Sequence, residues 1–208
     1  SSDVCSSDLS KYKLKKTNPQ AYGLHILMNF QAILDHEPLA TNESDIIIIG
    51  GGAAGFFAAI SALENRPELK VTILEKSGKV LSKVLVSGGG RCNVTHACFD
   101  DRELISNYPR GGKELLGAFS RFSVKDTVSW FDDHGVELKT ESDGRMFPVT
   151  DSSATISDCL QRTARDLGVE VIRHCAVSSI IKDGHRWRIV TSTGDLHSKC
   201  VMAATGGN

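Results

Sequence analysis

Apolar positions along the chain follow two periodicities, and the changes between them fall at glycines. Ile46 to Ile49 is a β-branched run of strand length that ends at Gly50. From Ala53 to about Asn65 the apolar residues take helical spacing, and Lys70 to Leu74 returns to a strand. Lys79 to Val86 reads as a helix or turn ending at Gly88-Gly89-Gly90. Arg91 to Tyr108 reads as irregular, with one helical turn at Asp101 to Ile105, and helical spacing resumes at Lys113 to Arg121. Ser123, with Asp126 three residues on, predicts a capped helix that Gly135 stops. Val136 to Lys139 and Arg145 to Phe147 predict short strands around the turn Ser142-Asp143-Gly144. Asp151 or Ser152 caps a helix to Leu167, Gly168 follows it, and Val169 to Arg173 is a strand. Val177 to Ile181, Arg186 to Thr191 and Leu196 to Lys199 alternate around turns at Asp183-Gly184 and Thr193-Gly194-Asp195, which predicts an antiparallel meander. A final apolar strand, Cys200 to Ala204, runs into Thr205-Gly206-Gly207-Asn208.

The strand–helix–strand opening predicts an α/β, Rossmann-like domain with a parallel sheet, flanking helices and a three-stranded antiparallel β-meander. Its first turn carries G-x-G-x-x-G on Gly50, Gly52 and Gly55. The first glycine allows the tight turn, the second lets a pyrophosphate approach the backbone, and the third lets the helix pack closely. The helix start offers free N–H groups to phosphates. Glu75, at the end of the second strand, is placed to accept hydrogen bonds from an adenosine ribose. The bare glycine pattern is weak, but strand, motif, helix, strand and acid in this order form a specific signal. Gly111-Gly112-Lys113 lacks the spacing and the following Ser or Thr of a Walker loop, so an ATPase is rejected.

Composition changes this picture little. The 208 residues suffice for one sizeable core, or one domain plus part of another. The net charge of -1 gives no electrostatic argument for nucleic acid or an anionic membrane as partner. The stretch Ile46 to Ile60 is apolar but short, and its glycines break it as a membrane span. Six scattered cysteines form no C-x-x-C pair, which argues against zinc, and reduced thiols in the cytoplasm are the expectation. His96, His134, His174 and His197 have no spacing that makes a metal site. Trp130, Phe131 and Trp187 read as core packing. Ser1-Ser2-Asp3 recurs as Ser6-Ser7-Asp8, and residues 1–43 are expected to be a disordered or non-native extension, with Met28 as a candidate natural start. Leu24, Leu27, Met28 and Phe30 would form a short amphipathic turn without an assigned role.

The run Gly78-Lys79-Val80-Leu81-Ser82-Lys83-Val84-Leu85-Val86-Ser87-Gly88-Gly89-Gly90-Arg91-Cys92-Asn93-Val94-Thr95 resembles the signature of the BaiN/RdsA-type NAD(P)/FAD-dependent oxidoreductases, within the glutathione-reductase-like flavoproteins. Gly144-Arg145-Met146-Phe147-Pro148 and Ala204-Thr205-Gly206-Gly207 also match that family. The resemblance covers about Asp45 to Asn208. It implies that residues 44–208 are an FAD-binding domain that lacks an inserted domain and the C-terminal part, hence an N-terminal fragment. It implies cofactor contacts from Gly50, Gly52, Ala53, Ala54 and Gly55 to the pyrophosphate and from Glu75 to the ribose. Lys76 would border the adenosine, and Val177 would face the adenine. Lys83, Ser87, Gly88, Gly89, Gly90, Arg91, Cys92 and Asn93 would lie on the flavin side, and Thr205 and Gly206 would approach from the last strand.

The chemistry so implied is hydride transfer through FAD for a small-molecule substrate, with NAD(P)H as reductant or oxygen as oxidant. Reduction of a conjugated carbon–carbon double bond, as in bile-acid intermediates, and oxidation of an amine such as aminoacetone are the two reactions the resemblance suggests. An arginine in the glycine loop would also stabilise the anion of a reduced flavin. No catalytic acid or base is named. A non-catalytic nucleotide-binding fragment is one alternative. A disulfide reductase using Cys92 is another, although five residues separate Cys92 from Cys98 where that chemistry uses four.

Overall fold

The computed structural model describes residues 42–207, in two compact units. One holds residues 42–80 and 164–207; the other is Leu81–Thr163. The expectations for residues 1–41 and for Asn208 lie outside the described residues.

The first unit is built on a six-stranded sheet. Its strands are β1 (Glu43–Ile49), β2 (Val71–Leu74), β6 (Glu170–Ile172), β7 (Val177–Asp183), β8 (Arg186–Thr191) and β9 (Gly194–Ala203), in the order β6-β2-β1-β9-β8-β7. The β6, β2, β1 and β9 neighbours pair in parallel, whereas β9, β8 and β7 pair antiparallel. Helix α1 (Ala53–Asn65) joins β1 to β2. Strand β1 is buried on both faces, as central parallel strands are. Ile47 and Ile49 share a core with Leu74, Cys175 and Ile189, against which Val177, Ile180, Trp187 and Leu196 of the meander pack. Ile48 points to the other face, toward α1 at Gly55.

Strand β1 begins three residues before the apolar run, because its polar residues find partners. The hydroxyls of Ser44 and Thr72 are 2.7 Å apart. The Asp45 carboxylate accepts from the Lys70 amide at 2.8 Å and pairs with Lys199 Nζ at 3.1 Å. Burying these groups is tolerable because each is satisfied.

The expected three-stranded antiparallel meander is present as β7, β8 and β9, with one correction at its last strand. Leu196–Lys199 and Cys200–Ala204 do not form two strands; they belong to one strand, β9. His197 and Ser198 pair with β8 on one side and with β1 on the other. The shift from polar to apolar residues at Cys200 therefore marks a change of neighbours rather than a break. The meander is continuous with the parallel sheet.

The second unit contains α2 (Ser82–Val86) running into a 3-10 turn at Ser87–Gly90, then β3 (Thr95–His96), α3 (Asp101–Ser106), α4 (Gly112–Phe119), α5 (Val124–Asp133), β4 (Leu138–Thr140) and β5 (Arg145–Pro148). Its sheet has the order β3-β5-β4, with antiparallel pairing. Helix α6 (Ser153–Asp166) leads the chain out of this unit. The capping box predicted at Ser123 and Asp126 is present. The helical turn expected at Asp101 to Ile105 is α3, and β3 is the strand that the otherwise irregular segment did not announce. Asp100 supports that helix: its carboxylate accepts from the amides of Arg102 and Glu103, both at 2.9 Å.

Candidate functional site: a nucleotide cradle and a glycine loop

The cradle lies in the first unit, at the carboxyl ends of β1, β2 and β9. Gly50 leaves β1 with φ +115, and a Cβ there would come within 2.4 Å of the Ala204 carbonyl oxygen. The exit of β9, Ala204 and Thr205, therefore runs directly against the turn. Gly55 is required by the turn itself, since its Cβ would sit 2.0 Å from the Gly50 carbonyl oxygen. Gly52 differs from both. Its backbone is extended, and no heavy atom lies within 4 Å of where its Cβ would be. Nothing in the protein's own packing asks for glycine at position 52, and its absent side chain leaves the space before the start of α1 open.

Gly52 is also the N-cap of α1, without a side-chain cap and without an acid in the first turn. The Phe56 amide donates to the Gly52 carbonyl at 3.0 Å, so the amides of Ala53, Ala54 and Gly55 precede the helical ladder. They give the open space a set of donors and the positive end of a helix dipole.

Glu75 stands beside this space. Its Oε2 accepts from the Gly51 amide at 2.9 Å and its Oε1 from the Ser77 amide at 2.8 Å. Burial pushes its carboxyl up, but the amides of Ser77 and Gly51 outweigh that and hold it below the ordinary value of 4.5. The group is a carboxylate at neutral pH, and lone pairs remain for two hydroxyl donors. Gly51 did not stand out in the sequence, yet a Cβ there would meet Val80 Cγ1 at 2.9 Å and Glu75 Cβ at 3.1 Å. Its signal was being the middle glycine of three. Lys76 is exposed next to Glu75. Val177 opens β7 and packs on the Ile47–Ile49–Leu74 core. Thr205 and Gly206 are exposed beyond β9, with Gly206 at φ +69. The donor set and the carboxylate suit the phosphates and sugar of a dinucleotide.

The second element is the glycine loop of the other unit. Gly88, Gly89 and Gly90 take φ values of +54, +67 and +86, and Cys92 takes +62. A Cβ on Gly88 would come within 2.8 Å of the Asn93 amide nitrogen and 2.9 Å of the Phe147 ring, whereas Gly89 and Gly90 face open space. The Ser87 hydroxyl donates to the Val84 carbonyl at 2.8 Å, and the Cys92 amide donates to the Ser87 carbonyl at 3.0 Å. Lys83 and Asn93 are exposed. The Val94 amide donates to Met146 at 2.9 Å, which ties the loop's exit to β5.

Arg91 is held inside its own unit. Its guanidinium donates to both oxygens of Glu141, at 2.5 and 3.4 Å, and lies 3.5 Å from Asp151 Oδ1. Its face stacks on the Phe147 ring, 4.0 Å from the centroid. The Glu141 hydrogen bond, with Asp151 behind it, holds the guanidinium further in its charged form. The arrangement gives Arg91 a fastening role and balances its charge locally. Glu141 and Phe147 thus belong to the loop's support. The sequence offered for Phe147 only the Gly144–Pro148 motif, and nothing for Glu141.

Cys92 and Cys98 are both free and buried. Burial pushes the Cys92 thiol up, the opposite of the shift that activates a redox cysteine. Among the described residues no group of three or more His, Cys, Asp and Glu could hold a metal ion, and no helix is long and apolar enough to cross a membrane.

The chain is 29% identical to the 3-dehydro-bile acid delta(4,6)-reductase of Clostridium scindens, over 77% of this chain and 41% of that protein. It is 31% identical to the ribosomal RNA dihydrouridine synthase of Escherichia coli, over 78% of this chain and 39% of that protein. It spans about two fifths of the length of these curated relatives. The solved structure of a 3-ketosteroid-delta4-(5alpha)-dehydrogenase from Rhodococcus jostii shares its fold, with a TM-score of 0.58 at 18% identity over 81% of this chain and 47% of that one. Residues 44–208 match the HI0933-like protein Rossmann domain, and the chain belongs to that family.

Proposed function

We propose that this chain is the FAD-binding part of a flavin-dependent oxidoreductase that reduces a carbon–carbon double bond conjugated to a carbonyl. The observation that carries the reading is the open space at Gly52, bounded by the uncapped start of α1 and by the ionised Glu75. In this reading the amides of Ala53, Ala54 and Gly55 bind the pyrophosphate and Glu75 binds the ribose diol. The start of β7, at Val177, and the exit of β9, at Thr205–Gly206, border the cofactor. The Ser87–Asn93 loop is braced by Phe147 and Glu141 within its own unit. FAD, when bound, supplies the two-electron chemistry. NAD(P)H is the proposed reductant.

The reaction class is supported by what the two curated relatives are named for. A delta(4,6)-reductase of a 3-dehydro bile acid and a dihydrouridine synthase both describe saturation of a double bond in conjugation with a carbonyl. The net change is addition of two electrons and two protons. A small-molecule enone is the proposed substrate, consistent with the net charge of -1. A uracil ring in RNA is a second reading, supported by the likeness to the dihydrouridine synthase. Amine oxidation with oxygen as acceptor has less support among these relatives. The cytoplasm is the proposed location.

The test is anaerobic mixing of the FAD-loaded whole protein with NADH or NADPH, then with a panel of cyclic enones and uridine oligonucleotides. Bleaching of the visible flavin band by a nicotinamide, and its return with an enone, is the expected result. Bleaching reversed only by oxygen would overturn the alkene reading.

A further inference from the structure

The crossing from β6 to β7 passes the end of β2 and grips it. The Glu75 amide donates to the Ile172 carbonyl at 2.8 Å, and the Cys175 amide donates to the Glu75 carbonyl at 2.9 Å. Between them the His174 amide donates to the Ser77 carbonyl at 3.1 Å. His174 makes this contact at φ +56, in the left-handed region that side chains other than glycine rarely adopt. The Ser192 hydroxyl, 3.4 Å from the His174 carbonyl, supports that conformation from the meander. The Cε1–Nε2 edge of the His174 ring meets the loop: a Cβ on Gly78 would come within 2.7 Å of both atoms. Gly78 is therefore the one residue type that leaves room for the ring.

We infer that His174 is a positioning residue that fixes the Glu75 carboxylate for a ribose diol by clamping Ser77 and Gly78; this rests on the ribose-binding reading of Glu75. The path is short. The ring and amide of His174 hold residues 77 and 78, and the Ser77 amide in turn holds Glu75 Oε1 at 2.8 Å. Gly51 holds the other oxygen at 2.9 Å. With both oxygens so directed, the carboxylate keeps one orientation before any ligand arrives, which lowers the ordering needed on binding. Without the clamp, the Ser77 donor is free to swing away and the side chain regains its rotamers.

The test is a double-mutant cycle on FAD affinity in the full chain, using His174→Asn and Glu75→Gln. Asparagine tolerates the left-handed backbone, so the ring is removed without adding strain. The cycle is read beside backbone amide exchange at Ser77 and Gly51 in the ligand-free variants. The expected result is a loss of about three- to tenfold in affinity from His174→Asn alone, and less than about twofold in the Glu75→Gln background. Ser77 and Gly51 should exchange faster in ligand-free His174→Asn. Equal losses in both backgrounds, or unchanged exchange, would overturn the inference. If Glu75→Gln alone leaves FAD affinity intact, the ribose reading fails, and the exchange rates still decide whether His174 holds the carboxylate.

Discussion

Replacing Gly52 by valine should separate binding from folding. The φ of −91 and ψ of −175 at this position suit any residue, and a new Cβ meets nothing within 4 Å. The cost to the fold is then that of a poorer N-cap, about 0.5–1 kcal/mol. The cost to binding is larger, because the side chain would fill the space in front of the Ala53, Ala54 and Gly55 amides. Losing two charge-assisted hydrogen bonds at roughly 1.5–3 kcal/mol each gives about 3–6 kcal/mol, or ~10²–10⁴ in Kd. Gly50→Ala is the contrast. Its Cβ would overlap the Ala204 carbonyl at 2.4 Å on a backbone at φ +115, so folding itself should suffer by about 1–3 kcal/mol or more. The assays are urea unfolding followed by circular dichroism and FAD titration followed by flavin fluorescence. Wild-type FAD affinity in Gly52→Val, or a stability loss as large as that of Gly50→Ala, would refute the placement of the phosphates.

Two further outcomes follow from the same geometry. Because Glu75 titrates below 4.5 when folded, its contribution to stability is complete above the unfolded value and is lost as pH falls through the folded one. Urea midpoints measured from neutral pH to below 4.5 should fall more steeply for the wild type than for Glu75→Gln; parallel curves would contradict the hydrogen bonds assigned to Glu75. Arg91→Lys should fail to restore what Arg91→Ala removes, because a lysine can neither fork onto Glu141 nor stack on Phe147. Both variants, and Glu141→Ala, should open the Gly88–Gly90 turn to limited proteolysis at similar rates, whereas a lysine variant as resistant as the wild type would show that charge alone fastens the loop.

What could be read in advance was what local pattern encodes. The β1 turn, α1, β2 and Glu75 follow from periodicity and from glycines whose spacing has a steric reason. The capping box at Ser123 did too. Missed features depend on residues far apart in sequence. Arg91 finds Glu141 and Asp151 fifty and sixty residues on, and no periodicity announces such a pair. Gly78 and His174 lie almost a hundred residues apart and explain each other only when they touch. β9 was divided because composition reports a strand's surroundings, and this strand passes from the meander to the middle of the sheet. The helical turn at Asp101 to Ile105 is legible, and Asp100 with Glu103 three residues on is the helix-start pattern that names its cap.

The proposed dinucleotide site is built from Gly50–Gly55 and Glu75. Titrating the purified protein with FAD, and displacing it with ADP, tests that most directly. Saturable binding near one FAD per chain, reversed by ADP and abolished in Gly52→Val, is the predicted result. FAD binding that ADP does not displace and that survives Gly52→Val would place the cofactor elsewhere, and no binding at all would contradict the site.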